Sequence, residues 1–382
     1  MNFSPTSVFT PENDVINGRQ IAFAAAFLLP AAKLLEVPSQ LAKYAAGDLL
    51  LPAIFHFLLQ SLVLLGILYA VSQSEKTLCE LLHEALGKGA YIFYILYALY
   101  FLFASALPLL DLEKYVYAAF FDSAPTVFSF AYFFFVCAFI CTKGIKAIGR
   151  CADLCLFLFL LPFLALIAMS LGESDFTSLL PLFGEKFGHT MSAFTHTTPH
   201  FSDAVFLLPL LANYRYKKKD GIKIMAGYWT GAALVLILLA VFFGVYASIA
   251  PREHYAFSKI AQYFPALSVL GRIDLIFVYL LSAVLFFYTC IPVQYATDLF
   301  CRVFTHRHRT LTAAILNVLL LGFVFFFNKY YNAFYALIGG KLPFVFWLLA
   351  DLLPLFCLLL PKNKENSLKK SEKQEDSYAE QA

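Results

Sequence analysis

The sequence predicts an all-α membrane protein with ten transmembrane helices. Three observations carry that expectation. Hydrophobic residues make up 61% of the 382 positions and charged residues 14%, against roughly 25% charged in a soluble domain. The apolar residues gather in ten segments, near 19–38, 48–72, 90–112, 126–142, 145–171, 191–212, 223–249, 271–296, 310–327 and 342–360. Most approach the ~20 residues that a helix needs to cross a ~30 Å hydrocarbon core, and none alternates as the ~10-residue strands of a membrane barrel do. The basic residues supply the third observation. With the N-terminus inside, 19 Lys and Arg fall on the inner side, among them Lys143, Lys146, Arg150, Arg215, Lys217 and Lys219, and 7 fall outside. This excess obeys the positive-inside rule, requires an even number of spans and puts both termini in the cytoplasm.

The chain divides into a cytoplasmic N-terminal tail (1–17), a ten-helix membrane domain (18–361) and a disordered, charged cytoplasmic tail (362–382). The first 20 residues carry Glu12 and Asp14 and lack a basic start and a small-residue cleavage site, so the first apolar segment is expected to be retained. Of the eight cysteines, Cys137 and Cys141, and Cys151 and Cys155, are four apart. With no further His or Cys nearby they read as small packing residues rather than metal ligands or a disulfide framework.

The first segment is the unusual one. Its uncharged part, Ile21–Ala32, has 12 residues, interrupted by Pro30 and followed by Lys33 and Glu36. It spans only if proline and charges lie inside the membrane, which marks function. Lys33 and Glu36, three apart, read most simply as neutralising each other. In the second segment His56 and Gln60 read as buried polar contacts. Thr77–Leu86 reads as an amphipathic surface helix ended by Gly87. Asp111, Glu113 and Lys114 close the third segment and are expected to snorkel to the interface. Arg150 and Asp153 share a helix face before the fifth. Gly227 and Gly231 have the small-xxx-small spacing of close helix contact. Segment six runs through His196–Asp203, HTTPHFSD, and the tenth carries one charge, Asp351.

Ten spans divide into five and five, and the second five start on the opposite side, so a repeat between them is inverted. Segment one breaks at Pro30 and its counterpart, segment six, at Pro199. At ~1.5 Å per residue Pro30 lies roughly 17 Å from Arg19, and Pro199 roughly 12 Å from Met191 on the other side. Both fall near the middle of the core, where freed backbone groups must be met by protein, water, ligand or ion. Matched broken helices point to a transporter site. Around the second break Thr195, Thr197, Thr198 and Ser202 offer hydroxyls, and Asp203 a carboxylate. Asp203 and Asp351, roughly 14 Å into its helix, are the candidates for proton coupling, since burial raises a carboxyl pKa. His196 and His200 lack a clear third partner, so no metal is expected. No hydrolytic triad or phosphate loop stands out; neither catalysis, a cofactor nor a nucleic-acid partner is expected.

In order and spacing, the pieces KLLEVPSQLAKYAAGD, KGIKAIGR, DFTSLLPLF, HFSDAVFLLPLLANYRYKKK and YAFSKIAQYFPALSVLGRID resemble the spore germination permease family, the B subunits of endospore germinant receptors. That family belongs to the amino acid/polyamine/organocation superfamily. The likeness covers residues 18–305, and the ten-span layout extends it to 360. It implies a LeuT-like fold with segments 1–5 and 6–10 as inverted repeats and helices 1 and 6 discontinuous. It implies a small germinant, often an amino acid, bound at those breaks, and an A-type membrane subunit and a C-type lipoprotein as partners in the spore inner membrane. The positions so implied are Phe27, Pro30, Ala31 and Lys33 in helix 1, and Thr197, Thr198, Pro199, Phe201, Ser202 and Asp203 in helix 6. The chain departs from the superfamily in having no glycine between Gly18 and Gly47. Pro30, Ala31 and Ala32 occupy the break, which leaves Lys33 as a second source of positive charge for a ligand. Three functions compete: a germinant-sensing receptor subunit, a proton- or sodium-coupled amino acid permease of the cell membrane, and a scaffold without a ligand site. Companion A- and C-type genes, ion-driven uptake, or germination that survives loss of Asp203 and Thr198 would separate them.

Overall fold

The computed structural model describes residues 16–73, 77–120, 126–181, 183–184, 186–217, 219–263, 274–304, 308–339 and 342–359. The expected disordered tail (362–382), nearly all of the N-terminal tail, and the second half of the 255–270 loop lie outside the described residues. Those described are helical, with no strand among them. Among the described residues six helices are long and apolar enough to cross a membrane: Leu50–Ser72, Gly87–Tyr115, Ile145–Ser170, Asp220–Arg252, Tyr279–Phe304 and Arg309–Lys329. Each coincides with an apolar segment of the sequence. Their outward faces are apolar, with Leu62, Ile92, Phe157, Leu161 and Val318 all exposed. Inside, Lys33, His56, Gln60, Asp203 and Asp351 are buried. Apolar side chains outside and ionisable ones within suit a solvent of lipid, and the chain is an integral multi-pass membrane protein.

The remaining four segments are interrupted or short. Segment one is α1 (Gly18–Phe23), a π-helical turn (Ala24–Leu28), α2 (Leu29–Ala31), a non-helical stretch and then α3 (Val37–Ala45). Then come α4 (Leu50–Ser72), α5 (Leu78–Leu86), α6 (Ala90–Phe120), α7 (Thr126–Lys143) and α8 (Ile145–Ser170). Segment six is α9 (Phe187–Thr197), a 3-10 turn (Thr198–His200) and α10 (Asp203–Ala212). After it come α11 (Asp220–Tyr246), α12 (Ala256–Tyr263), α13 (Asp274–Phe304), α14 (Arg309–Lys329) and α15 (Tyr331–Gly339). Segment ten is α16 (Leu342–Trp347), a second π turn (Leu348–Leu352) holding Asp351, and α17 (Leu353–Leu359). Extra residues of this kind inside helices mark functional positions often enough to be noted.

Local chemistry sets the shorter pieces. α5 starts at a capping box, in which Glu80 N–H donates to the Thr77 hydroxyl and Thr77 N–H to the Glu80 carboxylate at 2.8 Å. It stops at Gly87, whose φ of +56° suits glycine. Its apolar face, Leu78, Leu81 and Leu82, is buried against the protein. At Gly227 an added Cβ would lie 2.4 Å from the Ala22 carbonyl oxygen; at Gly231, 2.6 Å from that of Ala25. The two glycines thus let α11 lie directly on the interrupted first segment, as their spacing predicts.

Two expected contacts are corrected. Asp153 does not turn to Arg150; it accepts from Arg19 at 3.5 Å and from Gln20 at 3.1 Å, tying α8 to α1. Asp111 and Glu113 do not snorkel; both are buried, and Glu113 accepts from Asn328 of α14 at 2.7 Å. Only Lys114, over the Tyr331 ring at 5.2 Å, behaves as an interfacial side chain. Cys137 and Cys141 are free and buried, as packing residues are; the side chains of Cys151 and Cys155 lie outside the described residues.

Candidate functional site

The two breaks face each other. Past Pro30 the chain closes two tight turns, with Lys33 N–H donating to the Pro30 carbonyl at 2.8 Å and Leu34 N–H to that of Ala31 at 3.2 Å. Farther on, the Leu34 and Leu35 carbonyls belong to the non-helical stretch. They are met by the N–H groups of Phe257 and Ala256 at the start of α12, both at 3.2 Å. Backbone opened inside the bundle, where Leu34 and Leu35 are buried, is therefore satisfied by another part of the chain. Segment six treats its break in another way. Pro199 cannot donate, and Thr197 and Thr198 turn their hydroxyls back to the Ala193 and Phe194 carbonyls at 2.8 and 2.9 Å. His56 of α4 donates through Nε2 to the Phe194 carbonyl at 3.0 Å, its ring stacked between Phe194 and Phe201.

Lys33 crosses from one break to the other. Its ammonium, 1% exposed, forms an ion pair with Asp203, in the first turn of α10, and donates to the Leu29 carbonyl at 3.3 Å. It also sits over the Phe201 ring at 5.3 Å. The N-terminal end of α10 favours a carboxylate at Asp203. From there a hydrogen-bonded chain continues. Ala204 N–H donates to Gln60 Oε1 at 3.0 Å, and Gln60 Nε2 donates to both oxygens of Asp351 at 3.0 and 2.9 Å. The lysine, the glutamine and both aspartates are buried, and they join segments one, two, six and ten. His56 and Gln60 are buried polar contacts, as expected, and Gln60 also ties the Asp351 carboxylate to the backbone of Ala204, next to Asp203.

The expected Lys33–Glu36 pair does not form. The non-helical turn after Ala31 sends the side chains to different partners, a consequence that helix spacing cannot reveal. Glu36 accepts instead from His254 Nδ1 at 3.0 Å. That hydrogen bond, with the Glu36 charge, raises the His254 pKa above its ordinary value against a smaller opposing effect of burial. With the folded pKa raised, the pair's stabilisation is full below the free-imidazole value of about 6.5 and is lost as pH rises through the folded pKa. The thermal midpoint of wild type should therefore exceed that of His254→Gln near pH 5.5 and approach it by about pH 9. A gap that widens with pH would refute the pairing.

Glu36 and His254 border a cavity of about 780 Å³, lined also by Lys43, Tyr44, His196 and His200. His196 stacks on Tyr44 at 4.3 Å. Of the ten positions expected at the site, none lines this cavity. Phe27, Pro30, Ala31, Lys33, Thr197, Pro199, Phe201, Ser202 and Asp203 are packed below it, with Thr198 at the edge of burial. The open space thus meets each break at one residue, Glu36 and His200, and Lys43, Tyr44 and His254 are lining side chains that the sequence did not single out. Among the described residues no group of three His, Cys, Asp or Glu comes together as a metal site.

A bundle of apolar helices with two of them broken around a buried ion pair defines a permease-type membrane protein. The family described as "Spore germination protein" matches residues 20–331, and the chain belongs to that family. No curated protein sequence matches it. Among solved structures it is similar to that of a point mutant of a manganese transporter from Eremococcus coleocola. The identity is 12%, the coverage 91% of this chain and 81% of that one, and the TM-score 0.52. The inward-facing conformation of Mhp1 aligns at 14% identity over 92% and 81% of the two chains with a TM-score of 0.46. At such identity the first likeness shows the fold alone, a LeuT-like transporter fold. Family and fold alike are those of permeases, not of enzymes.

Proposed function

We propose that this chain is the membrane subunit of a spore germinant receptor, binding a small germinant, an amino acid among the candidates, and helping to trigger ion release. The observation that carries this is the Lys33–Asp203 ion pair bridging two broken helices beneath a cavity of about 780 Å³. The ligand enters the cavity by Tyr44, His196 and His200, and its charged groups compete with the contacts of Lys33 and Asp203. Phe27, Pro30, Ala31, Thr197, Thr198, Pro199, Phe201 and Ser202 form the shell that rearranges. The membrane domain is taken as ten spans over 18–361 in a 5+5 inverted repeat, with cytoplasmic tails at 1–17 and 362–382. An A-type membrane subunit and a C-type lipoprotein are its partners in the spore inner membrane.

One observation favours a second function, a proton- or sodium-coupled amino acid permease. Of two buried carboxylates, only Asp203 pairs with the one buried ammonium, that of Lys33, while Asp351 meets the neutral Gln60 amide, and a proton or cation on Asp351 would balance the set. Spores lacking only this subunit separate the two. Restored with wild type, they should regain germination to one class of germinant. Restored with Gln40→Trp, which fills the cavity from its wall, they should need at least about tenfold more germinant, a change of about 1.4 kcal/mol in binding, at equal protein level. An unchanged dose response would remove the cavity from the mechanism. Ion-driven accumulation of a labelled amino acid in proteoliposomes would favour the permease.

A further inference from the structure

Helices α4 and α11 run in opposite directions and part near the end of α4 and the start of α11. The gap is an apolar groove of about 560 Å³ between Leu65, Leu68 and Tyr69 on one wall and Ile222, Met225 and Trp229 on the other. Ile222 is 73% and Tyr69 63% exposed. Trp229 stands nine residues past Asp220, so the groove reaches roughly 13 Å along α11 from its first turn. That is the depth range of an acyl chain in one leaflet rather than of a soluble ligand.

The mouth of the groove is basic and held in place. Arg215, Lys217 and Lys219 are exposed. Beneath them Tyr214 is fully buried, its hydroxyl donating to Asp220 at 2.5 Å and accepting from Lys217 N–H at 3.2 Å. Gly221 N–H donates to the Tyr216 hydroxyl at 3.3 Å. Asp220, the one acid in the run, is taken up by Tyr214 and by Lys223 at 2.9 Å. Asp220 also acts on Lys217, and among the described residues no ion pair to Arg215 or Lys219 forms, so the exposed cations outnumber this single carboxylate beside an apolar slot.

We propose that this groove binds one anionic phospholipid, with an acyl chain along Leu68, Met225 and Trp229 and the phosphate at Lys217 and Lys219. Charge decides for a lipid over a partner's membrane helix. An apolar helix would fill the slot but leave the cations unanswered, whereas a phosphate answers them at the depth where headgroups lie.

The test uses the purified full chain, equilibrated with equal amounts of phosphatidylglycerol and phosphatidylcholine and examined by native mass spectrometry. Phosphatidylglycerol should be retained about tenfold over phosphatidylcholine. Lys217→Gln with Lys219→Gln should bring the ratio to about one, and Ala226→Trp, in the groove lining, should lower retention of both lipids. Equal retention of the two lipids by wild type overturns the proposal. A photo-crosslinker at Ile222 in native membranes gives an independent readout. An adduct of phospholipid mass supports it, and an adduct with another protein chain or a second copy overturns it.

Discussion

Asp203→Leu should destabilise the protein by about 3–5 kcal/mol, because it strands the Lys33 ammonium without a counter-charge inside the bundle. Lys33→Met should cost a similar amount by stranding the carboxylate. The double variant Lys33→Met/Asp203→Leu should recover most of the loss. Attraction between the two charges only offsets their desolvation, and removing both removes both terms. An exposed pair would behave otherwise, each single change costing at most about 1 kcal/mol. Unfolding of the four proteins in one detergent, as a double-mutant cycle, measures the coupling directly. Additive losses would mean that the pair is not a unit. The burial of both side chains, at 1% and 3% exposure, makes that outcome the less expected one.

Gly231→Leu should be, with the corresponding change at Gly227, among the most damaging changes on α11. Even a bare Cβ would stand 2.6 Å from the Ala25 carbonyl oxygen and 2.9 Å from Pro30 Cγ. The obstacle is backbone and a ring, which cannot swing aside, so the helix must move off the first break. Overpacking in a core typically costs about 1–3 kcal/mol, and contact with backbone puts this substitution at or above the top of that range. Gly66→Ala is the informative control. Its Cβ would meet Leu355 Cδ2 at 2.5 Å, but that atom is the end of a flexible side chain and can rotate away. Folded yield and thermal midpoint should fall sharply for Gly231→Leu and little for Gly66→Ala. Equal losses would show that the close approach at Gly231 has no special role.

What the sequence made legible follows from the kind of signal each element leaves. Long apolar helices announce themselves by length, and Pro30 and Pro199 by what proline removes from a helix, so the bundle and both interruptions were readable. The small spacing of Gly227 and Gly231 gave the contact of α11 with segment one, although not its partner atoms. Lys33 and Glu36 were misleading for a physical reason. Spacing predicts a pair only where the helix persists, and it stops between Ala31 and Val37. Their true partners, Asp203 and His254, are 170 and 218 residues away in sequence, and nothing local encodes such meetings. Asp153 misled in the same way. The cavity was illegible as a whole because, apart from Glu36, His196 and His200, its lining is drawn from stretches that look like ordinary rims, Ser39–Tyr44 among them.

The two hydrogen bonds from Ala256 and Phe257 to Leu35 and Leu34 bear on motion. They fasten the non-helical part of segment one to the start of α12, far along the chain, with no side chain involved. A displacement of the first break must then either carry the N-terminal turn of α12 as cargo or rupture both bonds at membrane depth, where water is scarce to replace them. The mechanical element is thus a composite of residues 33–36 and 256–257 rather than a single helix half. Hydrogen exchange at the Ala256 and Phe257 amides reports which of the two routes the molecule takes, since only rupture would expose them.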